Sequence, residues 1–391
     1  MTSIARYQVC ALTMLLAGAG AAAPAHGQVV QEHISGLQGP AKLLALPGGE
    51  LLVAEAGTAT ANTGRISLVD RAARRFTLID GLPSALFLGR DLGGPSGLLI
   101  GDRRLYVTIG AGDTSVAGAG QGSEIPNPSP SSPLFSSVLL LEFPDGTGPF
   151  SLGFTLPLAA QALLAADKAV YLYNASGESV RVSRLLDIPS YTAEPRPDEP
   201  RHVRISNPYG VIGSDSGLVV VDASNNLIWS VALAPGGPAT ALARFPNVPN
   251  PLFPNVGPPT VEAVPASIRV AGDDFVVSQL TGFPFGPGAA SVMKVSRSTG
   301  AVTTIASGLQ TAIDVLPVPL TSDRYYVIEY SNSFLTGGPG RVLLVDATRG
   351  TRLVLADGLR TPTHLALDTR TGDLFVTENT GGRILRILIP H

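Results

Sequence analysis

Apolar residues fall along this chain in short runs, not in helical stripes. Leu51-Leu-Val-Ala-Glu55, Leu105-Tyr-Val-Thr108, Leu218-Val-Val-Val-Asp222, Phe275-Val-Val-Ser-Gln279, Tyr325-Tyr-Val-Ile-Glu329 and Leu374-Phe-Val-Thr-Glu378 are stretches rich in β-branched and aromatic residues. Most end on a polar residue and a loop of Gly, Ser, Thr or Asn, and such runs read as buried strands. Ahead of each lies a turn and a shorter apolar strand, as in Gly39-Pro40-Ala41-Lys42, Gly94-Pro95-Ser96-Gly97, Asn207-Pro208-Tyr209-Gly210, Val264-Pro265-Ala266-Ser267, Ala312-Ile313-Asp314 and Thr361-Pro362-Thr363-His364. A third, alternating strand and a fourth complete the unit, as in Arg65–Val69 and Arg75–Ile79. The unit recurs every 45–60 residues or roughly so, the period of four-stranded propeller blades.

Seven copies are predicted. The third lacks the opening turn and is read from Ala169–Asn174 and Ser179–Ser183 as its second and third strands; six blades remain if that segment is an insertion. The last copy stops after its third strand, Arg383–Leu388, while Glu32–Leu37 is a spare strand ahead of the first. Pairing the two would complete the last blade and remove an open sheet edge. The expected fold is an all-β, single β-propeller over residues 28–391, seven blades rather than six, with insertions near 111–133 and 191–200.

Residues 1–27 stand apart. Arg6, the apolar stretch from Val9 and the small residues of Ala25-His26-Gly27 have the order of a secretory signal peptide. The expected location is secreted or periplasmic, with no membrane span after cleavage. The one cysteine, Cys10, lies in that segment, so disulfides and thiol chemistry are excluded for residues 28–391. Formal net charge is −3, with no basic run, which argues against nucleic acid as a partner.

In a propeller the loops that lead into each inner strand and those that leave each second strand share one face, around the central channel. Polar residues there converge from every blade. Glu55, Asp222, Glu329 and Glu378 end second strands and are candidate ligands for a divalent metal, Ca²⁺ first among them. His364 and Asp314 are candidate acid and base groups. Asn207, Tyr209, Gln279, Phe283 and Phe285 are candidate ligand contacts, the two phenylalanines lying in the rigid run Thr281-Gly-Phe-Pro-Phe-Gly-Pro-Gly288. The competing reading of the four carboxylates is that they cap strand ends and accept loop amides. No HExxH, Walker or cysteine-pair motif is present.

Ser206-Asn-Pro-Tyr-Gly-Val211, Val221-Asp-Ala-Ser-Asn-Asn226, Pro265-Ala-Ser267, Leu280-Thr-Gly-Phe-Pro-Phe-Gly-Pro-Gly-Ala-Ala290, Ala312-Ile-Asp314 and Val327-Ile-Glu-Tyr330 occur in an order that resembles the ScyD/ScyE family of exported propeller proteins, named from scytonemin biosynthesis. The Leu-Thr-Gly-Phe-Pro-Phe run is the most specific of them. The resemblance implies an exported propeller with a metal dependence that handles an aromatic metabolite. Gln279 stands where the family has an acid, and Ile205-Ser206 where it has Asp-Ser, departures that bear on a metal ligand. Two functions follow: binding or conversion of a small metabolite at the channel, with a divalent metal, or a non-catalytic surface for a protein, peptide or glycan partner. A quinone-dependent dehydrogenase is disfavoured by the few basic residues at axial positions.

Overall fold

A computed structural model describes residues 28–120, 122–144, 150–193, 202–233 and 238–390. Residues 1–27, expected to be a signal segment, and most of 191–200 lie outside the described residues. Among those described, no helix is long and apolar enough to cross a membrane.

Six sheets of four or five strands form the blades. Blade 1 is built from Pro40–Ala45, Leu51–Glu55, Gly64–Val69 and Arg75–Leu82, and blade 2 from Pro95–Gly101, Arg104–Ile109, Ser137–Glu142 and Ser179–Asp187. Blade 3 has Pro208–Ser214, Gly217–Asp222, Leu227–Ala232 and Ala239–Arg244, and blade 4 has Pro265–Ala271, Asp274–Gln279, Ala290–Ser296 and Val302–Leu309. Blade 5 runs through Ala312–Pro317, Arg324–Glu329, Gly340–Asp346 and Thr351–Leu359. Blade 6 takes Pro362–Leu367, Leu374–Glu378 and Arg383–Ile387, and its outer strand is Val30–Ser35, antiparallel to Arg383–Ile387. The inner strands meet their neighbours in a closed ring, blade 6 lying against blade 1.

The expected seventh blade is not formed. Val170–Tyr173 and Ser179–Asp187 are instead the fifth and fourth strands of blade 2. The physical reason lies in the side-chain pattern. Second strands such as Leu51–Glu55 and Leu374–Glu378 are buried at every residue, because blades cover both of their faces. Val170–Tyr173 alternates buried and exposed, the mark of an outer strand with one face in water. Phe154–Thr155 adds in parallel to the outer strand of blade 1. The short helix Leu158–Ala165 then leads to the edge of blade 2.

Apolar side chains fill the space between blades, among them Leu52, Ile66, Leu105, Val107 and Phe154 in one cluster and Ile328, Val342, Leu374 and Val376 in another. Each fully buried residue of this size contributes about 1.5–3 kcal/mol of transfer free energy. The insertion at 111–133 is folded: Ser115–Val116 pairs with Ile125–Pro126, and the Asp113 carboxylate accepts from the Ser131 amide and hydroxyl.

Candidate functional site at the propeller axis

All six inner strands begin alike. The first residue pairs with the end of the second strand, and the ladder then shifts: Pro40 faces Glu55 and Lys42 faces Ala54, Pro95 faces Ile109 and Gly97 faces Thr108, Pro362 faces Glu378 and His364 faces Thr377. The same shift falls near the start of the inner strands of blades 3, 4 and 5. Such a bulge re-aims the residues beside it. In blades 5 and 6 the third residue of the strand reaches the next blade. In order, the third positions are Lys42, Gly97, Gly210, Ser267, Asp314 and His364. Blade 2 leaves no room for a side chain, since a Cβ on Gly97 would stand 2.8 Å from the Tyr209 carbonyl, and blade 3 is tight, with one on Gly210 3.2 Å from that of Ala266.

Inner strands have no neighbour on the channel side, so their amides need other partners. Asp314 and His364 supply them across blade boundaries. Asp314 Oδ2 accepts from the Leu365 amide at 2.6 Å, and His364 Nδ1 lies 3.3 Å from the Leu43 amide. Hydroxyls stitch two other boundaries, Ser96 donating to the Pro208 carbonyl at 2.7 Å and Ser278 to that of Ile313 at 2.9 Å, and Thr363 donates to the Pro40 carbonyl at 3.2 Å across the boundary that His364 also spans.

Five polar side chains thereby meet at the axis. Arg269, from blade 4, reaches past blade 5 and brings Nη2 to 2.7 Å from His364 Nε2. The same nitrogen is 3.2 Å from Asp314 Oδ1 and 3.3 Å from Oδ2, with hydrogen-bond geometry to the latter. His364 Nε2 is 3.8 Å from Asp314 Oδ2. Lys42, from blade 1, lies over the ring of Tyr209, from blade 3, with Nζ 4.4 Å from the ring centre. Lys42 is 4% exposed, and its amine has no hydrogen-bond partner.

Burial draws the Lys42 amine down to about 7; Asp314 opposes that fall and Arg269 adds to it. Burial, together with the charges of Lys42 and Arg269, holds His364 well below its ordinary value. An amide and a guanidinium face its two ring nitrogens, an arrangement that an imidazolium, a donor on both sides, would oppose. Burial pushes the Tyr209 hydroxyl up, with the charge of Asp314 and Tyr330 adding to it. Tyr330, in the loop after the second strand of blade 5, is raised by its own burial and by the Asp91 charge. Asp91 belongs to the hairpin Ala85–Phe87/Asp91–Gly93, between blades 1 and 2.

The structure thus joins the candidates His364, Asp314 and Tyr209 with Lys42 and Arg269, which reading the sequence missed. A signal for Lys42 existed, since it is the third residue of its inner strand as Asp314 and His364 are of theirs.

The acidic candidates are placed differently. Glu55, Glu329 and Glu378 stand in blades 1, 5 and 6, each directly opposite an arginine on the third strand of its own blade: Arg65, Arg341 and Arg383. Glu55 Oε2 is 2.7 Å from Arg65, Glu329 Oε2 is 2.5 Å from Arg341, and Glu378 bonds Arg383. Each also accepts a loop amide ahead of its blade, from Gln38 at 2.5 Å, Gln310 at 2.9 Å and Arg360 at 2.6 Å. Asp222 plays this part in blade 3, accepting the Asn207 and Asn225 amides and the Trp229 indole N–H. All four carboxylates accept loop amides, and three of them also pair with an arginine. Among the described residues no three His, Cys, Asp or Glu side chains are grouped as metal ligands.

Asn207 Oδ1 accepts the Ala111 amide at 3.0 Å and ties the long insertion to blade 3. Gln279 is buried and accepts from Ser291. Phe285 packs on Phe334 of the neighbouring blade, ring centres 4.2 Å apart, while Phe283 is 57% exposed.

No family model matches the chain, and no curated protein does. Solved structures that resemble it include a nidogen/laminin complex, with 10% identity over 85% of this chain and 92% of that one and a TM-score of 0.40. A Bacteroides uniformis protein described provisionally as a 6-phosphogluconolactonase shows 11% identity over 88% and 83%, with a TM-score of 0.42. The WD40 propeller domain of Doa1 shows 10% identity over 93% and 98%, with a TM-score of 0.41.

Proposed function

We propose that this protein is an exported propeller that binds a small organic molecule, anionic at one end and flat and apolar at the other, where the channel opens beside Tyr209. One observation carries the reading: the Lys42 amine is buried without a hydrogen-bond partner. An orphaned buried donor costs about 1–3 kcal/mol, and a ligand oxygen would satisfy it. Arg269 adds positive charge next to that amine, so the ligand end that fits is an acceptor and not a metal cation. The Tyr209 ring against that amine, with Tyr330 near it, supplies aromatic surface for the flat part of the molecule. The resemblance to exported propellers that handle aromatic metabolites points the same way.

Calorimetric titration of residues 28–391 with a panel of aromatic and indolic carboxylates tests this. Saturable binding by at least one compound, weakened tenfold or more in a folded Lys42→Met protein, is the expected result. Binding that survives Lys42→Met unchanged, or no binding by any compound, would reject it.

A second reading, a partner-binding face, rests on the rim. Phe283 and Leu335 are 57% and 51% exposed beside the Phe285–Phe334 pair, an apolar patch of the kind that marks contact surfaces.

A further inference from the structure

We propose that the Lys42 amine is a nucleophile that condenses with an aldehyde or ketone ligand to form a Schiff base at the propeller axis. The inference rests on the axial site above and goes further, naming the ligand's reactive group and the bond it forms.

Residue usage gives the first support. Of the 27 lysine and arginine residues in the chain, only Lys42, Lys168 and Lys294 are lysine. Lys168 and Lys294 are exposed, and Lys294 pairs with Asp274 at 3.4 Å. Positive charge elsewhere is nearly always arginine, which suits surface and ion-pair duty. The axial position holds the one buried lysine, a side chain that can lose its proton, as arginine cannot.

Geometry gives the second. The amine is 4% exposed, has no hydrogen-bond partner and has no carboxylate of its own, because Arg269 takes Asp314. On the side of blade 3 it meets the Tyr209 ring, 4.4 Å away. The charged and titratable groups that act on it from blades 4, 5 and 6 are Arg269, Asp314 and His364. A desolvated amine beside another cation is the setting that keeps a lysine nucleophilic at neutral pH, in accord with its fall to about 7.

The chemistry balances without an oxidant or a second reactant. The nitrogen lone pair attacks the carbonyl carbon and a C–N bond forms. Both amine hydrogens leave with the carbonyl oxygen as water, and the C=N bond remains. The imine that results becomes a cationic iminium when its nitrogen takes a proton from water, and Asp314 is the anion near it. Arg269 suits a carboxylate on the same ligand, so the class is an oxo acid.

Glyoxylate is the probe. The folded protein is incubated with it and cyanoborohydride at pH 7, and the extent of carboxymethylation at each lysine is followed by peptide mass spectrometry. Formaldehyde in place of glyoxylate reports access to each amine. Lys42 is expected to react at least tenfold faster than Lys168 and Lys294, and faster still in Tyr209→Ala. Lys42 left unmodified, or modified no faster than the two exposed lysines, overturns the proposal. If an aromatic carboxylate still binds in a Lys42-dependent way while no adduct forms, covalent chemistry fails and the binding site stands. If neither occurs, both fail.

Discussion

Asp314 and His364 occupy the same position in consecutive blades, and each directs its side chain at the backbone amide of the residue one step further along the next inner strand, Leu365 and Leu43. The ring is therefore fastened at two of its six boundaries by the side chains that also hold Arg269 at the axis. Fold and site share these residues, so changes to either have measurable consequences for the other.

Asp314→Ala removes the acceptor of the Leu365 amide and the partner of Arg269. Breaking a buried ion pair from one side costs about 3–5 kcal/mol; with Arg269 partly exposed, the lower end of that range is expected in urea unfolding. The same change removes the charge that raises the Lys42 amine. Reductive alkylation of Lys42 at pH 6.5 should then be faster than in the unaltered protein, provided Asp314→Ala remains folded at the assay temperature.

Lys42 makes stability depend on pH in a stated direction. Its folded value is near 7, against 10.5 for a free side chain. Between those limits the unfolded chain holds a proton that the folded protein lacks, so stability rises with pH through this window, by at most about 1.4 kcal/mol per unit. Below pH 7 the contribution is flat. Urea unfolding at pH 7, 8 and 9 should show that rise in the unaltered protein and lack it in Lys42→Met. Equal slopes in the two proteins would mean that Lys42 is not desolvated in solution.

The glutamate–arginine staples of blades 1, 5 and 6 should respond alike. Glu55→Ala, Glu329→Ala and Glu378→Ala each strand a loop amide and remove the buried carboxylate from an arginine, although Arg383 keeps Glu32. A loss of about 2–4 kcal/mol is expected for each, measured by chemical denaturation. Ligand affinity at the axis should be unchanged in each folded variant. A melting temperature that falls on addition of a chelator, and no longer does so in Glu329→Gln, would show instead that a metal joins these staples.

The two phenylalanines of the Thr281–Gly288 loop separate by their contacts. Phe285→Ala loses the ring contact with Phe334, a pairing of about 0.5–1.5 kcal/mol beyond its buried area. Phe283→Ala removes an exposed ring and should stay within about 0.5 kcal/mol of the unaltered protein. A larger effect for Phe283 than for Phe285 would contradict the packing seen here.

Deleting Val30–Ser35 exposes the edge of Arg383–Ile387 in blade 6. An unpaired strand of this length is a template for association. The shortened protein should elute as oligomers or aggregate in size-exclusion chromatography, and should melt at lower temperature.

Local structure was legible along the chain. Runs such as Leu374-Phe-Val-Thr-Glu378, with a Pro-led turn before them and a glycine-containing loop after, can bury both faces only as central strands, so strand identity and the repeat were legible. The alternation of Val170-Tyr-Leu-Tyr173 is equally present in the sequence and marks an edge strand, which is why this segment extends blade 2 and forms no seventh blade. Position within the unit also carried information, since Lys42 aligns with Asp314 and His364. Which side chains engage one another follows instead from how the blades meet. Glu329 looks free in the sequence, but closure of blade 5 sets it against Arg341, twelve residues on, and the Gln310 amide. Lys42 looks like a surface residue, yet ring closure carries it past blade 2 onto Tyr209 and away from water. Charge pairing and desolvation depend on distances between residues that lie far apart along the chain, and those distances exist only once the six blades have met around the axis.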